Sequence, residues 1–230
     1  MSSNERTIEL IATVSHEIRS PLTTIKGFTK TLLDRWDRLE DEMKLEMLAA
    51  INADADRVTR ILTELLDVSR LEAGKLTLHL RPVDICVLVE EVAEALADRS
   101  DKHTIVLDKP ADGEHLEVVA DPDKVRQVLA NLIENAQKYA DEGTITVSCS
   151  VEDGFGTFSV TDMGPGVPPD LESKIFEKFS RRELPGSPTG TGLGLYISKG
   201  LIEAQGGQIG ATFESSESRF WFRLPLAERH

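Results

Sequence analysis

The sequence predicts a multi-domain chain: an all-α antiparallel helical hairpin, joined by a second copy into a dimeric four-helix bundle, followed by an α+β sandwich. Three observations carry this. Apolar side chains recur at three- and four-residue steps through two long segments near the start. A glycine at position 74 closes the second of them. Beyond it, short alternating runs interleave with shorter amphipathic helices. The boundary falls between residues 75 and 76, giving domains over 1–75 and 76–230.

The first helix spans about Asn4 to Trp36, with Ile11, Val14, Ile18, Leu22, Ile25 and Leu32 along one seam. Pro21 falls inside it, where it removes a backbone hydrogen bond and predicts a kink. A charged turn, Asp37 to Glu42, leads to a second helix from about Met43 to Leu71. Its Met47, Ile51, Val58, Ile61, Leu65 and Val68 repeat with heptad-like steps. A short connection between two long helices makes an antiparallel hairpin. One hairpin does not bury both its seams, so a homodimer is expected; the alternative is a hairpin packed on the rest of its own chain.

After Leu71-Glu72-Ala73-Gly74-Lys75 the pattern changes. Leu76 to Ile85 alternates like a strand and Val87 to Arg99 is helical. Strand-like runs follow at Thr104 to Leu107 and Leu116 to Ala120. Asp121-Pro122 opens the next helix, with a capping carboxylate and proline at the first helical position; that helix runs to about Ala140. Thr144 to Val151 and Gly156 to Thr161 are neighbouring strands around the turn Glu152-Asp153-Gly154. A loop rich in glycine and proline, a short helix around Ile175 and a flexible stretch from Ser180 to Thr189 come next. A helix over about Gly192 to Ala204 and two strands, Gln208 to Glu214 and Arg219 to Pro225, close the domain as helices on one side of a mixed sheet.

Composition narrows the function classes. Of 230 residues, 40% are apolar, enough for a core in each domain. The net charge of -14 and a pI near 4.8 disfavour nucleic acid and anionic membrane as partners. The two cysteines, Cys86 and Cys149, lie far apart in the chain, which fits a reducing compartment better than a disulfide framework, and no metal-ligand spacing appears. No apolar run reaches the roughly 18 residues of a membrane span and no signal peptide opens the chain. A cytoplasmic location is therefore expected, with no membrane segment, for a chain that also suits a piece of something larger.

Four stretches carry the candidate chemistry. In Ser15 to Thr23, about 100° per residue puts His16 roughly 170° from the mean direction of the seam, so it faces water beside Glu17. A lone exposed histidine is also what an ordinary surface helix shows. In the helix after Pro122, Asn131, Asn135 and Lys138 form one polar stripe flanking the apolar face. The amide oxygens suit Mg²⁺ and the ammonium suits phosphate, although solvated helices carry such stripes too. Thr161-Asp162-Met163-Gly164-Pro165-Gly166 follows a strand; its glycines allow close approach of a ligand and its carboxylate can accept from an exocyclic amine, or the segment is a plain turn. Gly190-Thr191-Gly192-Leu193-Gly194-Leu195 runs into a helix and frees backbone N–H groups for phosphates, with neither the dinucleotide nor the P-loop spacing.

Taken in order, these segments resemble the catalytic core of the sensor histidine kinases of two-component signalling, over nearly the whole chain. Ser15 to Thr23 is similar to the phosphoacceptor motif, and Asn131 to Tyr139 to the asparagine motif. Asp162 to Gly166 is similar to the first glycine motif, Ile175-Phe176-Glu177-Lys178-Phe179 to the phenylalanine motif, and Thr189 to Leu195 to the second glycine motif. The resemblance implies a dimerisation and histidine-phosphotransfer domain followed by an ATP-binding domain of the gyrase and heat-shock-chaperone type. It implies that His16 takes the γ-phosphoryl group of ATP while Glu17 takes its proton, and that the group passes to an aspartate on the receiver domain of a response regulator. It further implies Mg²⁺ on Asn135 with Asn131, nucleotide contacts from Lys138 and Tyr139, and Asp162 on the adenine amine. Gly164, Gly166, Gly190, Thr191, Gly192, Leu193 and Gly194 would line the pocket and its lid. Ser20 departs from the threonine or asparagine that many relatives use for phosphatase activity, and Thr189 from the glycine that opens the second glycine motif. Two rival readings suit the same residues: an ATPase without phosphohistidine, against which Asn131 counts because those enzymes carry a glutamate there, and a dimeric scaffold without catalysis.

Overall fold

A computed structural model describes residues 3–97, 102–109, 116–164, 166–167, 169–180, 190–214 and 217–227. The chain forms two compact units, residues 1–70 with 189–191 and residues 71–188 with 192–230. The first holds helix α1 (Ser3–Arg35), a 3₁₀ turn (Trp36–Arg38) and most of helix α2 (Asp41–Glu72). Helix α1 continues without interruption across Pro21, which is buried. The two seams largely hold. Val14, Leu32, Ile61 and Val68 are buried, and Ile18, Ile25, Met47, Ile51, Val58 and Leu65 are half-buried. Leu22, expected on the seam, is 49% exposed, and Leu33, Leu45, Leu62 and Leu66 are open as well. A two-helix hairpin offers each helix a single neighbour, which covers only part of an apolar stripe more than about 100° wide. Gly74 ends the segment in the left-handed region (φ 60°), its N–H donating to the carbonyl of Leu71 at 3.1 Å.

The second unit contains β1 (Arg81–Asp84), α3 (Ile85–Ala97), β2 (His103–Asp108), β3 (Glu117–Ala120), α4 (Pro122–Tyr139), β4 (Gly143–Glu152) and β5 (Phe155–Asp162). The one-turn α5 (Pro169–Glu172), then α6 (Gly194–Glu203), β6 (Gln208–Glu214) and β7 (Glu217–Pro225), complete it. Two expectations shift. The strand expected over Leu76 to Ile85 forms only at Arg81–Asp84, because β3 supplies four partner positions and Asp84 already accepts the N–H of Cys86 to start α3. The short helix expected around Ile175 lies earlier, and Ile175 itself sits in a run of turns. The stretch expected to be flexible, Ser180 to Thr189, falls outside the described residues from 181 onward.

Five strands pair in the order β2-β4-β5-β7-β6, with β2 parallel to β4 and the remaining pairs antiparallel. Register partners share a face, and the two faces differ. Val147 and Val160 are partners, as are Cys149, Phe158 and Phe222; all five are at most 5% exposed, and the two phenylalanine rings meet at 4.9 Å. The buried sides of α3, α4 and α6 complete this core, with Val125, Val128, Leu129, Leu132 and Ile133 of α4 at 0–1%. The opposite face is polar: Thr146 pairs with Thr161, the Ser148 and Ser159 hydroxyls meet at 2.7 Å, and Trp221 lies across Gly210. A Cβ at Gly210 would stand 2.5 Å from the indole, so the close approach requires glycine there.

Asp121 anchors the start of α4. Its carboxylate accepts the N–H groups of Asp123, Lys124 and His79 at 3.1, 3.3 and 2.9 Å. Burial by itself would raise its pKa, but the three amide bonds win and hold it below the usual carboxylate value. A lowered folded-state pKa contributes stability above the unfolded value that is lost as pH falls through the folded one. The stability of this unit is therefore expected to decline below about pH 4, and Asp121→Ala to cost about 1–2 kcal/mol at neutral pH and to flatten that decline, both measurable by denaturant titration.

Candidate functional site

On the first unit, His16 is exposed, and Ser20 follows it one turn later on the same exposed side of α1. Glu17, a step of about 100° around the helix, is 5% exposed and points the other way. Its Oε2 accepts from Nη2 of Arg57 on α2 at 2.8 Å. The sequence placed Glu17 beside His16; the fold couples it across the hairpin to a residue forty positions away. An open groove along α1, lined by Val14, Ser15, Ile18, Leu22 and Lys26, runs beside this turn.

On the second unit, the stripe of α4 takes the position the spacing predicted. Asn131, Asn135 and Lys138 are half-buried at the edge of the helix whose other side is core. Asn131 Nδ2 donates to Ser198 Oγ of α6 at 2.9 Å. Its Oδ1 lies against Gly194, where a Cβ would be only 2.3 Å away. Asn135 makes no side-chain hydrogen bond to another described residue, which leaves a half-buried amide to be satisfied by a ligand or water. The oxygens of Asn131 and Asn135 are the hard donors that suit Mg²⁺; among the described residues no cluster of three His, Cys, Asp or Glu offers another metal centre. Lys138 lies 4.9 Å from the ring centre of Tyr139, itself 43% exposed.

The strand end of β5 brings Asp162 to the same helix. It is 5% exposed and accepts the N–H of Gly164 at 2.8 Å and a hydrogen bond from Ser218. Gly164 packs so tightly that a Cβ would be 2.7 Å from Asp162 Oδ1 and 3.0 Å from the Ala140 Cα. Burial pushes the Asp162 carboxyl up, outweighing the Gly164 and Ser218 hydrogen bonds and the nearby His103. Gly166 and Gly192 adopt φ of 68° and 69°, accessible at low cost only to glycine. Gly190 is half-buried, while Thr191 and Leu193 are buried.

Several contributors escaped the sequence reading. Ser198 and Ser218 are single serines in a helix and a strand, with no motif to mark them. Arg57 is one of many charges on α2. Phe179, within the phenylalanine motif, has φ 63°, and its N–H donates to the Gly192 carbonyl at 3.0 Å. A bulky residue there is strained by about 1–3 kcal/mol, and a run of Phe-Glu-Lys-Phe does not announce it. Lys178 beside it lies over the ring of Tyr196 on α6 at 5.0 Å.

Two family models match the chain: the His Kinase A (phospho-acceptor) domain over residues 7–74, and the histidine kinase-, DNA gyrase B- and HSP90-like ATPase over residues 120–228. The sensor histidine kinase GacS of Pseudomonas protegens is 37% identical over 232 residues, covering 95% of this chain and 24% of that protein. The chain thus spans about a quarter of that relative's length. Full-length ShkA in complex with AMPPNP superposes with a TM-score of 0.70 at 33% identity, over 96% of this chain and 46% of that one. The histidine kinase ThkA in complex with the response regulator protein TrrA gives 0.66 at 29% identity, over 97% of this chain and 64% of that one.

Because the folded-state pKa of Asp162 is raised, this carboxyl favours folding at low pH and costs stability once pH rises through its folded value. Asp162→Asn is therefore expected to melt at the same temperature as the wild type or higher at neutral pH, as read by scanning calorimetry. In the hairpin, Arg57→Ala would remove the 2.8 Å ion pair of the buried Glu17 carboxylate. Its expected cost is about 1–3 kcal/mol, below that of a fully buried pair because the Arg57 side chain keeps 33% of its surface in water, and Glu17→Gln combined with it should recover much of the loss in a chemical melt.

Proposed function

The chain belongs to the sensor histidine kinases of two-component signalling, and from that premise we propose that it transfers the γ-phosphoryl group of ATP to His16 and then to an aspartate of a response regulator. In this reading residues 1–75 form the dimerisation and phosphotransfer domain and residues 76–230 the ATP-binding domain. The observation that carries it is the convergence of three sequence-distant motifs on one helix: Gly164 closes against Asp162 and the end of α4, while Gly194 closes against Asn131 in its middle. A site built this way holds hydrogen-bond donors and acceptors at fixed positions, and phosphoryl transfer depends on positioning and charge neutralisation more than on covalent help from protein.

Each residue then has a part. Asp162 accepts from the adenine amine in a water-poor recess. Lys138 neutralises phosphate charge, Tyr139 flanks the nucleotide, and the backbone around Gly190, Gly192 and Gly194 cradles phosphate oxygens at the start of α6. Asn135, with Asn131, would hold Mg²⁺, which when bound spreads the negative charge of the triphosphate. One imidazole nitrogen of His16 attacks the γ-phosphorus as its bond to the bridging oxygen breaks and ADP leaves, and Glu17 accepts the proton from the other nitrogen. To do so, that carboxylate exchanges Arg57 for the imidazole. The segment at Gly74, where a side chain would meet nothing within 4 Å, serves as the hinge between the domains.

Partners follow from the hairpin. The open leucines 22, 33, 45, 62 and 66 support a homodimer that completes a four-helix bundle. The receiver domain of a response regulator is the expected acceptor, supported by the relative ThkA in complex with TrrA. Among the described residues no helix is long and apolar enough to cross a membrane, and the expected location is the cytoplasm. Ser20 stands at the position where many relatives carry the threonine or asparagine used in dephosphorylating the partner.

Incubation with γ-labelled ATP is expected to place an acid-labile, base-stable label on the wild type, absent from His16→Ala and reduced about 100-fold or more in Asn135→Ala, and to pass the label to purified receiver domains. Release of free phosphate without label on protein would indicate a plain ATPase. Neither label nor phosphate would indicate a scaffold.

A further inference from the structure

Cys86 and Cys149 are 63 positions apart in the chain, yet their Sγ atoms stand 3.2 Å from one another as free thiols. Cys86 is the second residue of α3, and its position is set by the Asp84 carboxylate, which accepts its N–H at 3.1 Å. Cys149 lies in the middle of β4 with Phe158 as its register partner, so its side chain points into the core. Both backbones are thus held by regular structure, and the proximity of the sulfurs is a property of how α3 seats on the sheet. A disulfide bond is about 2 Å long, so closing the pair asks for about 1 Å of approach, within reach of small side-chain rotations. The two thiols differ in access: Cys86 is partly exposed, while Cys149 is 5% exposed.

We propose that Cys86 and Cys149 form a reversible intramolecular disulfide when the protein meets a peroxide, Cys86 being the thiol attacked first and Cys149 the one that resolves it. The sulfur of Cys86 displaces one oxygen of hydrogen peroxide, giving a sulfenic acid and one water. The sulfur of Cys149 then displaces the hydroxyl from Cys86, forming the S–S bond; its proton leaves with that hydroxyl as a second water. Two sulfurs are oxidised by one electron each and one peroxide is reduced. A dithiol reductant reverses the reaction. Burial, and then the hydrogen bond and charge of Cys86, push the Cys149 thiol up to about 12, so it is a poor first nucleophile. Oxidation of Cys86 removes its share of that rise at the moment Cys149 must react. The bond would tie the first turn of α3 to the middle of the sheet on which α4 also rests. This inference is independent of the proposed kinase activity, since every readout below is thiol chemistry or stability.

The test is made on the full chain, reduced and then exposed to hydrogen peroxide. The expected result is loss of both maleimide-reactive thiols without dimer formation, a peptide pair linked through Cys86 and Cys149 by mass spectrometry, and a melting temperature raised by about 5 °C or more, all reversed by dithiothreitol. In Cys149→Ser, a sulfenic-acid probe such as dimedone should trap Cys86; in Cys86→Ser, labelling of Cys149 should be at least about 10-fold slower. Serine is close in size to cysteine, and melting curves of the two reduced variants establish that each is folded before labelling. Two thiols that stay titratable after peroxide, a disulfide that links two chains, or equal labelling of the two variants would overturn the proposal.

Discussion

Seating α4 on the sheet is the constraint on which the nucleotide-binding unit depends. One side of this helix supplies Val125, Val128, Leu129, Leu132 and Ile133 to the core at almost no exposure, and at roughly 25 cal/mol per Å² that burial is the largest favourable term available to it. The same rotation that buries the apolar side fixes where Asn131, Asn135 and Lys138 emerge. The functional groups are therefore positioned by hydrophobic packing, through a rigid helix. The cap at Asp121 holds one end of α4; the tight packing of Gly164 against Ala140 holds the other.

The hairpin uses the same economy differently. Successive residues on a helix point about 100° apart, so one member of a His-Glu pair can face water while the other faces the interior. Here the histidine takes the exposed position and the glutamate the interior one, where Arg57 satisfies its charge. Among the described residues, large apolar side chains such as Leu33, Leu45, Leu62 and Leu66 stay open on α1 and α2, because a single neighbouring helix covers only part of each apolar stripe.

The site carries features that cost stability. Asp162 is buried at a strand end with its carboxyl pushed up, Phe179 adopts a left-handed backbone, and Asn135 lacks a described partner. Elsewhere among the described residues the serine hydroxyls of β4 and β5 pair with one another, while the Thr157 hydroxyl on β5 is buried without a partner.

Much of this was legible in the residues. Periodicity located α1, α2, α4 and the strands of the main sheet because each buries one face, and a buried face imposes a period of 3.6 or 2 on the sequence. Asp121-Pro122 and Gly74 marked helix ends because capping chemistry is local. The stripe of Asn131, Asn135 and Lys138 was visible because it obeys the same helical geometry as the core beside it. Contacts between segments far apart in the chain were not legible: Arg57 with Glu17, Ser198 with Asn131, Ser218 with Asp162, and above all the two cysteines, read as distant and found 3.2 Å apart. Sequence determined which side of each element faces the core and which groups stand at its edge; only tertiary packing decided which edges meet, because that depends on how elements cross, and a period along one element carries no record of its neighbour.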